Sequence, residues 1–156
     1  MLLWYAGLSV LLVHYVFRSG GVDYRLIALG SLLPLALDLP LRRLAYGHTL
    51  AAGVALMFVV MVGTIGRPRL LRRRLICIPI GFLCGLVLSG AWTDAGVFWW
   101  PFNGALPHEP LLPPAPIVAL EELVGLGACA WIVAEFGLTD PVPRLAFLRS
   151  GRLRVK

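Results

Sequence analysis

The sequence predicts an all-α fold, a polytopic transmembrane helix bundle with about five spans. Of its 156 residues, 59% are hydrophobic and only 14% are charged, and long apolar runs recur along most of the chain. A typical soluble domain is about 25% charged, and about 20 apolar residues are enough for a helix to cross a bilayer. No change in composition marks a second domain, so residues 1–156 are predicted to form a single integral membrane domain.

The predicted spans follow the apolar runs and end at charged or proline-containing segments. The first ends before Arg18, the second at the segment LDLPLRR, and the third at the basic segment GRPRLLRRR. The second is the least secure and is also compatible with a tilted or re-entrant helix. The predicted spans are 2–17, 26–41, 48–65, 75–92 and 117–138, with an outer loop at 93–114 and a basic cytoplasmic tail at 139–156.

The basic residues are distributed unevenly between the two sides of this predicted bundle. Only Arg42 and Arg43 lie on one side, and the other twelve of the 14 lysines and arginines lie on the opposite side. By the positive-inside rule, the N-terminus is outside and the C-terminus is cytoplasmic. This topology also accounts for the net charge of +6, so no nucleic-acid partner is predicted. The expected partners are the lipid bilayer and other membrane protein subunits.

A few polar residues lie in or beside spans, where the membrane makes them costly. Asp38 ends the second span and His48 begins the third, so a short loop could bring them together. They are candidate ligands, although Asp38 could instead pair with an arginine and His48 could cap its helix. His14, deep in the first span, is a candidate haem or pigment ligand, or a buried histidine bonded to a neighbouring helix.

The fifth span carries two adjacent acids near its start. Glu121 and Glu122 are about 100° apart around a helix, so one is expected to face the bundle and the other a water-accessible edge. The three cysteines, Cys77, Cys84 and Cys129, lie in apolar segments without metal-ligand spacing, which indicates packing.

Three motifs together resemble the bacterial membrane-bound metal-dependent hydrolases of the LexA-regulated type. The motifs are LLPLALDLP, YGHTLA and GFLCGLVLSGAWTDAGVFWWP, and the resemblance covers about residues 30–104. It implies a site in the bacterial cytoplasmic (inner) membrane where aspartate and histidine side chains hold a divalent metal such as zinc or manganese. Such a metal would lower the pKa of bound water and polarise a phosphoryl or acyl oxygen.

This chain departs from the pattern of the hydrolases at most of the implied ligand positions. Asp38 and His48 match, but Leu35 replaces one aspartate, while Gly85 and Ser89 stand where the pattern has histidine and aspartate. A hydrolytic metal needs about three protein ligands, and only two remain in register. The order and spacing of the three motifs, including the Trp-Pro pair at 100–101 that ends the third, match the hydrolase pattern.

The resemblance therefore predicts a non-catalytic member without a cofactor, serving as an accessory or scaffold subunit of a larger membrane complex. The alternative is a metal-dependent hydrolase acting on lipid-linked or cell-envelope substrates. A second alternative is a pigment- or haem-binding subunit that uses His14. The hydrolase would need an altered ligand set, with Gly85 and Ser89 lining the site and ligands drawn from Asp38, His48, Asp94, His108 or Glu121.

Overall fold

The computed structural model describes residues 1–18, 21–102 and 110–151, and the predicted all-α class is confirmed over these residues. They contain helices and no strand. Three short 3-10 turns, at Leu39–Leu41, Tyr46–His48 and Ala91–Thr93, connect some of the helices. The α-helices are α1 (Leu2–Phe17), α2 (Tyr24–Asp38), α3 (Leu50–Gly63), α4 (Arg69–Leu75), α5 (Cys77–Leu88), α6 (Ala95–Phe98), α7 (Ala115–Glu135) and α8 (Pro141–Ser150).

Each predicted span overlaps one of the main helices, but among the described residues only two helical segments are long and apolar enough to cross a membrane. These are Tyr24–Leu41, which is α2 with its following turn, and α7. The helices α1 and α3 are apolar but shorter. The second span, which the sequence left least secure, is thus one of the two that meet this criterion of length and composition.

The helices α2 and α5 pack with their backbones in direct contact. Gly30 of α2 faces the carbonyl of Ile78, and Gly81 of α5 faces the carbonyl of Ile27. A Cβ atom at either glycine would overlap the facing carbonyl oxygen. Glycine is therefore required at these positions by the closeness of the two helices, as in other tightly packed apolar bundles.

A second close pair forms between α1 and α7. A Cβ atom at Gly125 would overlap the backbone at Leu3 and Trp4, and one at Gly7 would lie 3.0 Å from the carbonyl oxygen of Gly125. The helix α1 also bonds to α2, because the buried hydroxyls of Ser9 and Ser31 are 3.2 Å apart. These contacts surround the apolar core, which comprises Val10, Val13, Tyr24, Ile27, Cys77, Cys84 and Ile132.

Asp23 organises the end of the bundle where α2 begins. Its side chain is buried and accepts hydrogen bonds from Arg25, at 3.2 and 3.1 Å, and from Arg74, at 3.2 and 3.0 Å. Burial opposes ionisation of Asp23, but the hydrogen bonds and charges of the two arginines outweigh it and lower the pKa below 3.8. The α8 helix ends here too, since the Tyr24 N–H donates to the carbonyl of Gly151.

The close contact of α2 with α5 predicts the effect of adding one methyl group. Gly81→Ala should lower the free energy of unfolding by about 1–3 kcal/mol, because the helices must separate to admit it. Gly127→Ala in α7 is the matched control: its Cβ would meet nothing within 4 Å, and removing a helix glycine should stabilise by about 0.5–1 kcal/mol. Unfolding of both variants in one detergent, followed by circular dichroism, tests this. Equal effects would contradict the packing argument.

The lowered pKa of Asp23 predicts how the free energy of unfolding depends on pH. The contribution of the ionised carboxylate is fully present above the unfolded-state pKa of about 3.9 and is lost as pH falls through the lower folded-state pKa. Asp23→Asn should therefore destabilise the protein at pH 7, by about 1–3 kcal/mol for the weakened charged hydrogen bonds. The difference from the parent should narrow below pH 4. A difference that is constant from pH 7 to pH 3 would contradict this role.

Candidate functional site

The loop between α2 and α3 brings Asp38 and His48 into contact. Two 3-10 turns reverse the chain, so that the last residue of α2 meets the residues just before α3. The Nδ1 atom of His48 lies 2.7 Å from Oδ2 of Asp38, and the two residues are 1% and 0% exposed. Because an ionised carboxylate can only accept hydrogen bonds, Nδ1 carries the proton in this pair.

The carboxylate of Asp38 is also occupied by the backbone of the same loop. Its Oδ2 accepts the Ala45 N–H at 2.8 Å, and its Oδ1 accepts the Gly47 N–H at 2.7 Å. Three donors therefore converge on one buried carboxylate. This arrangement compensates for removing the charge from water and holds the loop closed.

Gly47 allows the loop to lie this close to α2. A Cβ atom there would overlap the carbonyl oxygen of Pro34 and lie 3.0 Å from Oδ1 of Asp38. Thr49 then begins α3 by capping it, since its Oγ1 accepts the Ala52 N–H at 3.1 Å. The sequence YGHT thus supplies close approach, a carboxylate partner and a helix cap in succession.

Gly85 and Ser89 have structural roles where the hydrolase pattern has histidine and aspartate. A Cβ atom at Gly85 would overlap the carbonyl oxygen of Ser31, so the position belongs to the contact of α2 with α5. The Ser89 hydroxyl donates to the Leu86 carbonyl at 2.9 Å and accepts the Ala91 N–H at 3.3 Å. It therefore completes the end of α5.

The other candidate ligands do not join Asp38 and His48 in the part of the chain that the structure describes. The Asp94 carboxylate caps α6 by accepting the N–H groups of Gly96 and Val97, at 2.8 and 3.4 Å. His108 lies outside the described residues. Over those that are described, no group of three or more histidine, cysteine or acidic side chains could hold a metal ion.

The two adjacent acids of α7 serve the start of α1. Glu122 pairs with the Met1 amino group and accepts the Leu2 and Leu3 N–H groups at 2.7 and 3.0 Å, which satisfies donors that a helix start leaves open. Glu121 is half-buried, and its Oε2 has no hydrogen-bond partner among the described residues.

His14 contacts aromatic residues of neighbouring helices. Its Nδ1 lies 3.4 Å from the Tyr24 hydroxyl, and its ring meets Phe136 edge to face at 4.9 Å between centroids. These contacts agree with one of the two interpretations that the sequence left open, a buried histidine bonded to a neighbouring helix. The arrangement supplies no observation that favours the pigment or haem alternative.

The Trp-rich segment after α6 lies beside the turn that precedes α3. Trp100 contacts Tyr46 edge to face, with centroids 5.0 Å apart. An apolar groove of about 410 Å³ lies between this segment and α3. Its lining comprises Leu50, Ala51, Val54, Ala55, Phe58, Phe98, Trp99, Trp100 and Phe102.

Sequence reasoning missed Asp23, the other buried carboxylate of α2. An aspartate just before an apolar run and two residues before an arginine is a recognisable helix-start signal. Its second partner, Arg74, is 51 residues away and could not be assigned from local pattern.

Comparisons with protein-family models, with curated proteins and with solved structures gave no match.

The three hydrogen bonds to Asp38 predict that this residue stabilises the fold. Asp38→Ala should lower the free energy of unfolding by about 3–5 kcal/mol, because it leaves buried donors without an acceptor. Asp94→Ala also deletes a capping carboxylate, but at a half-buried turn, and should cost only about 1 kcal/mol. Thermal unfolding of the two variants in the same detergent provides the comparison. A loss at Asp38 no larger than that at Asp94 would contradict the structural role.

Proposed function

We propose that the chain is a non-catalytic, multi-pass membrane protein that acts as an accessory or scaffold subunit of a larger complex in the bacterial cytoplasmic membrane. The observation that carries the proposal is the engagement of Asp38 by its own loop, which uses three of the roughly four lone pairs of the carboxylate. Its two oxygens already accept two backbone N–H groups and the His48 ring nitrogen. A ligand or base at a hydrolytic site needs a lone pair directed at the metal or the reacting group.

The packing at Gly85 supports the same proposal. A histidine side chain at this position would have to separate α2 from α5, because even a Cβ atom overlaps the Ser31 carbonyl oxygen. The retained motif skeleton is then explained by helix packing. The chain keeps the frame of a hydrolase and uses one of its ligand positions for contact between helices.

The proposed membrane arrangement has five spans, with the N-terminus outside and the C-terminus in the cytoplasm. It is supported by the uneven distribution of arginines and by large apolar side chains exposed along α3 and α7. Val54, Phe58, Leu120 and Leu123 are examples. In water these faces would be costly, whereas lipid or another membrane subunit would cover them. Gly127 lies on this open surface of α7 and permits close approach by a partner helix.

The second candidate is the metal-dependent hydrolase, and the contact of Asp38 with His48 is the observation that favours it. A carboxylate bonded to one ring nitrogen orients a histidine whose other nitrogen holds a metal or takes a proton. Zinc or manganese would then be held at Nε2 of His48 with ligands from elsewhere. The substrate class would be lipid-linked or cell-envelope molecules.

Metal content separates the two candidates. Protein purified from native membranes without chelators should contain no stoichiometric zinc or manganese, and Asp38→Asn and His48→Gln should leave that content unchanged. Elemental analysis against protein concentration makes the measurement. About one metal ion per chain, lost in both variants while a Ser89→Ala control retains it, would overturn the proposal in favour of the hydrolase.

Co-purification with defined membrane proteins at fixed ratio would support the subunit role, and recovery from native membrane as a lone monomer would contradict it.

A further inference from the structure

We propose that the basic face formed by α4 and α8 binds anionic phospholipid headgroups, with the exposed apolar side of α8 entering the lipid surface. This inference rests on the membrane location proposed above. The basic face comprises Arg67, Arg69, Arg72, Arg144 and Arg149 together with the apolar residues Val142, Leu145 and Leu148.

Asp23 brings the two helices to the same end of the bundle. It accepts hydrogen bonds from Arg74 at the end of α4. On its other side, Arg25 donates to the Leu148 carbonyl of α8 at 2.6 Å, and Gly151, just after α8, is against Asp23. Both helices therefore lie at the same end of the bundle.

The exposed charges of this surface are mainly positive. Its five arginines are exposed and form no ion pair with any carboxylate in the described ranges. The one buried carboxylate at this end, Asp23, is already shared by Arg25 and Arg74. Glu135 and Asp140 are the other described acids in or near α8. An excess of cationic side chains at a cytoplasmic surface complements the negative charge of anionic lipids.

The exposed surface of α8 combines apolar side chains with arginines. Phe147 packs against the apolar core, while Val142, Leu145 and Leu148 are 76%, 51% and 57% exposed. Positions three residues apart on a helix are separated by about 60°, so the three side chains span about 120° of its circumference, and Arg149 lies within this arc. Such a surface suits the boundary of headgroups and acyl chains, because an arginine places its charge among the headgroups while the neighbouring apolar side chains contact the acyl layer.

The combination of features favours a lipid leaflet over a nucleic acid. Nucleic acid would neutralise the arginines but would leave the three apolar side chains of α8 in water. The α4 helix likewise exposes apolar side chains, Leu70 and Leu71, beside its arginines. A leaflet provides phosphate for the arginines and an apolar layer for the leucines and valine.

The test uses the purified full chain in a neutral detergent, with phosphatidylglycerol or phosphatidylcholine of identical acyl chains added. Native mass spectrometry measures the apparent affinity for each lipid. We expect preference for phosphatidylglycerol, reduced about tenfold or more in Arg144→Gln/Arg149→Gln, since each arginine near an anionic surface contributes to attraction. The matched control is Arg42→Gln/Arg43→Gln, which removes the same charge at the opposite end and should retain the preference.

Val142→Ser/Leu145→Ser tests the apolar part without changing charge. It should lower the affinity for both lipids by a similar factor while the unfolding temperature in detergent stays that of the parent. Unchanged affinity for both lipids would overturn the insertion of α8.

Three outcomes overturn the lipid assignment as a whole. They are equal affinity for the two lipids, equal loss in both arginine double variants, and displacement of phosphatidylglycerol by a single-stranded RNA oligonucleotide through Arg144 and Arg149. Failure of the proposed membrane location is measured separately, because alkaline carbonate would then release the chain from native membranes. A chain that stays in the carbonate-washed membrane but lacks the lipid preference refutes the lipid inference alone.

Discussion

The backbone contact between α2 and α5 is the constraint on which the rest of the structure depends. Gly30, Gly81 and Gly85 remove the side chains that would hold these helices apart. The contact places the two ends of α2 in position: Asp38 at one end receives the loop before α3, and Asp23 at the other receives Arg74 from the segment before α5. Separating the helices would disturb both polar clusters as well as the core between them.

The two buried carboxylates of α2 are stabilised by different donors, and the difference follows from their surroundings. Asp23 lies at the basic end and is held by two arginines whose side chains remain partly exposed. Asp38 is held by two backbone N–H groups and one histidine, all within ten residues along the chain. In an apolar bundle each charge needs such compensation. Because the donors to Asp38 all come from the loop before α3, these hydrogen bonds also fix the conformation of that loop.

Long apolar segments were enough to predict α1, α2, α3, α5 and α7, because hydrophobic length dominates the choice of structure there. The basic segment before α5 was interpreted as a stop signal, yet residues 69–75 are helical; arginine and leucine are both good helix formers. The approach of Asp38 to His48 was foreseeable from the short loop between them. The bonds of Glu122 to the start of α1 depend on tertiary packing across more than a hundred residues, which no local pattern contains.

Gly85 shows that the absence of a side chain can itself have a structural reason. The resemblance to the hydrolases implies a histidine at this position, where the chain has glycine. In the fold, its missing side chain is what allows the Ser31 carbonyl of α2 to lie against α5. A side chain that reached inward from residue 85 and the present contact of the helices exclude each other, so a metal ligand there would require a different spacing of α2 and α5. Packing and catalysis compete for this position, and the observed packing supports the proposal of a scaffold rather than an enzyme.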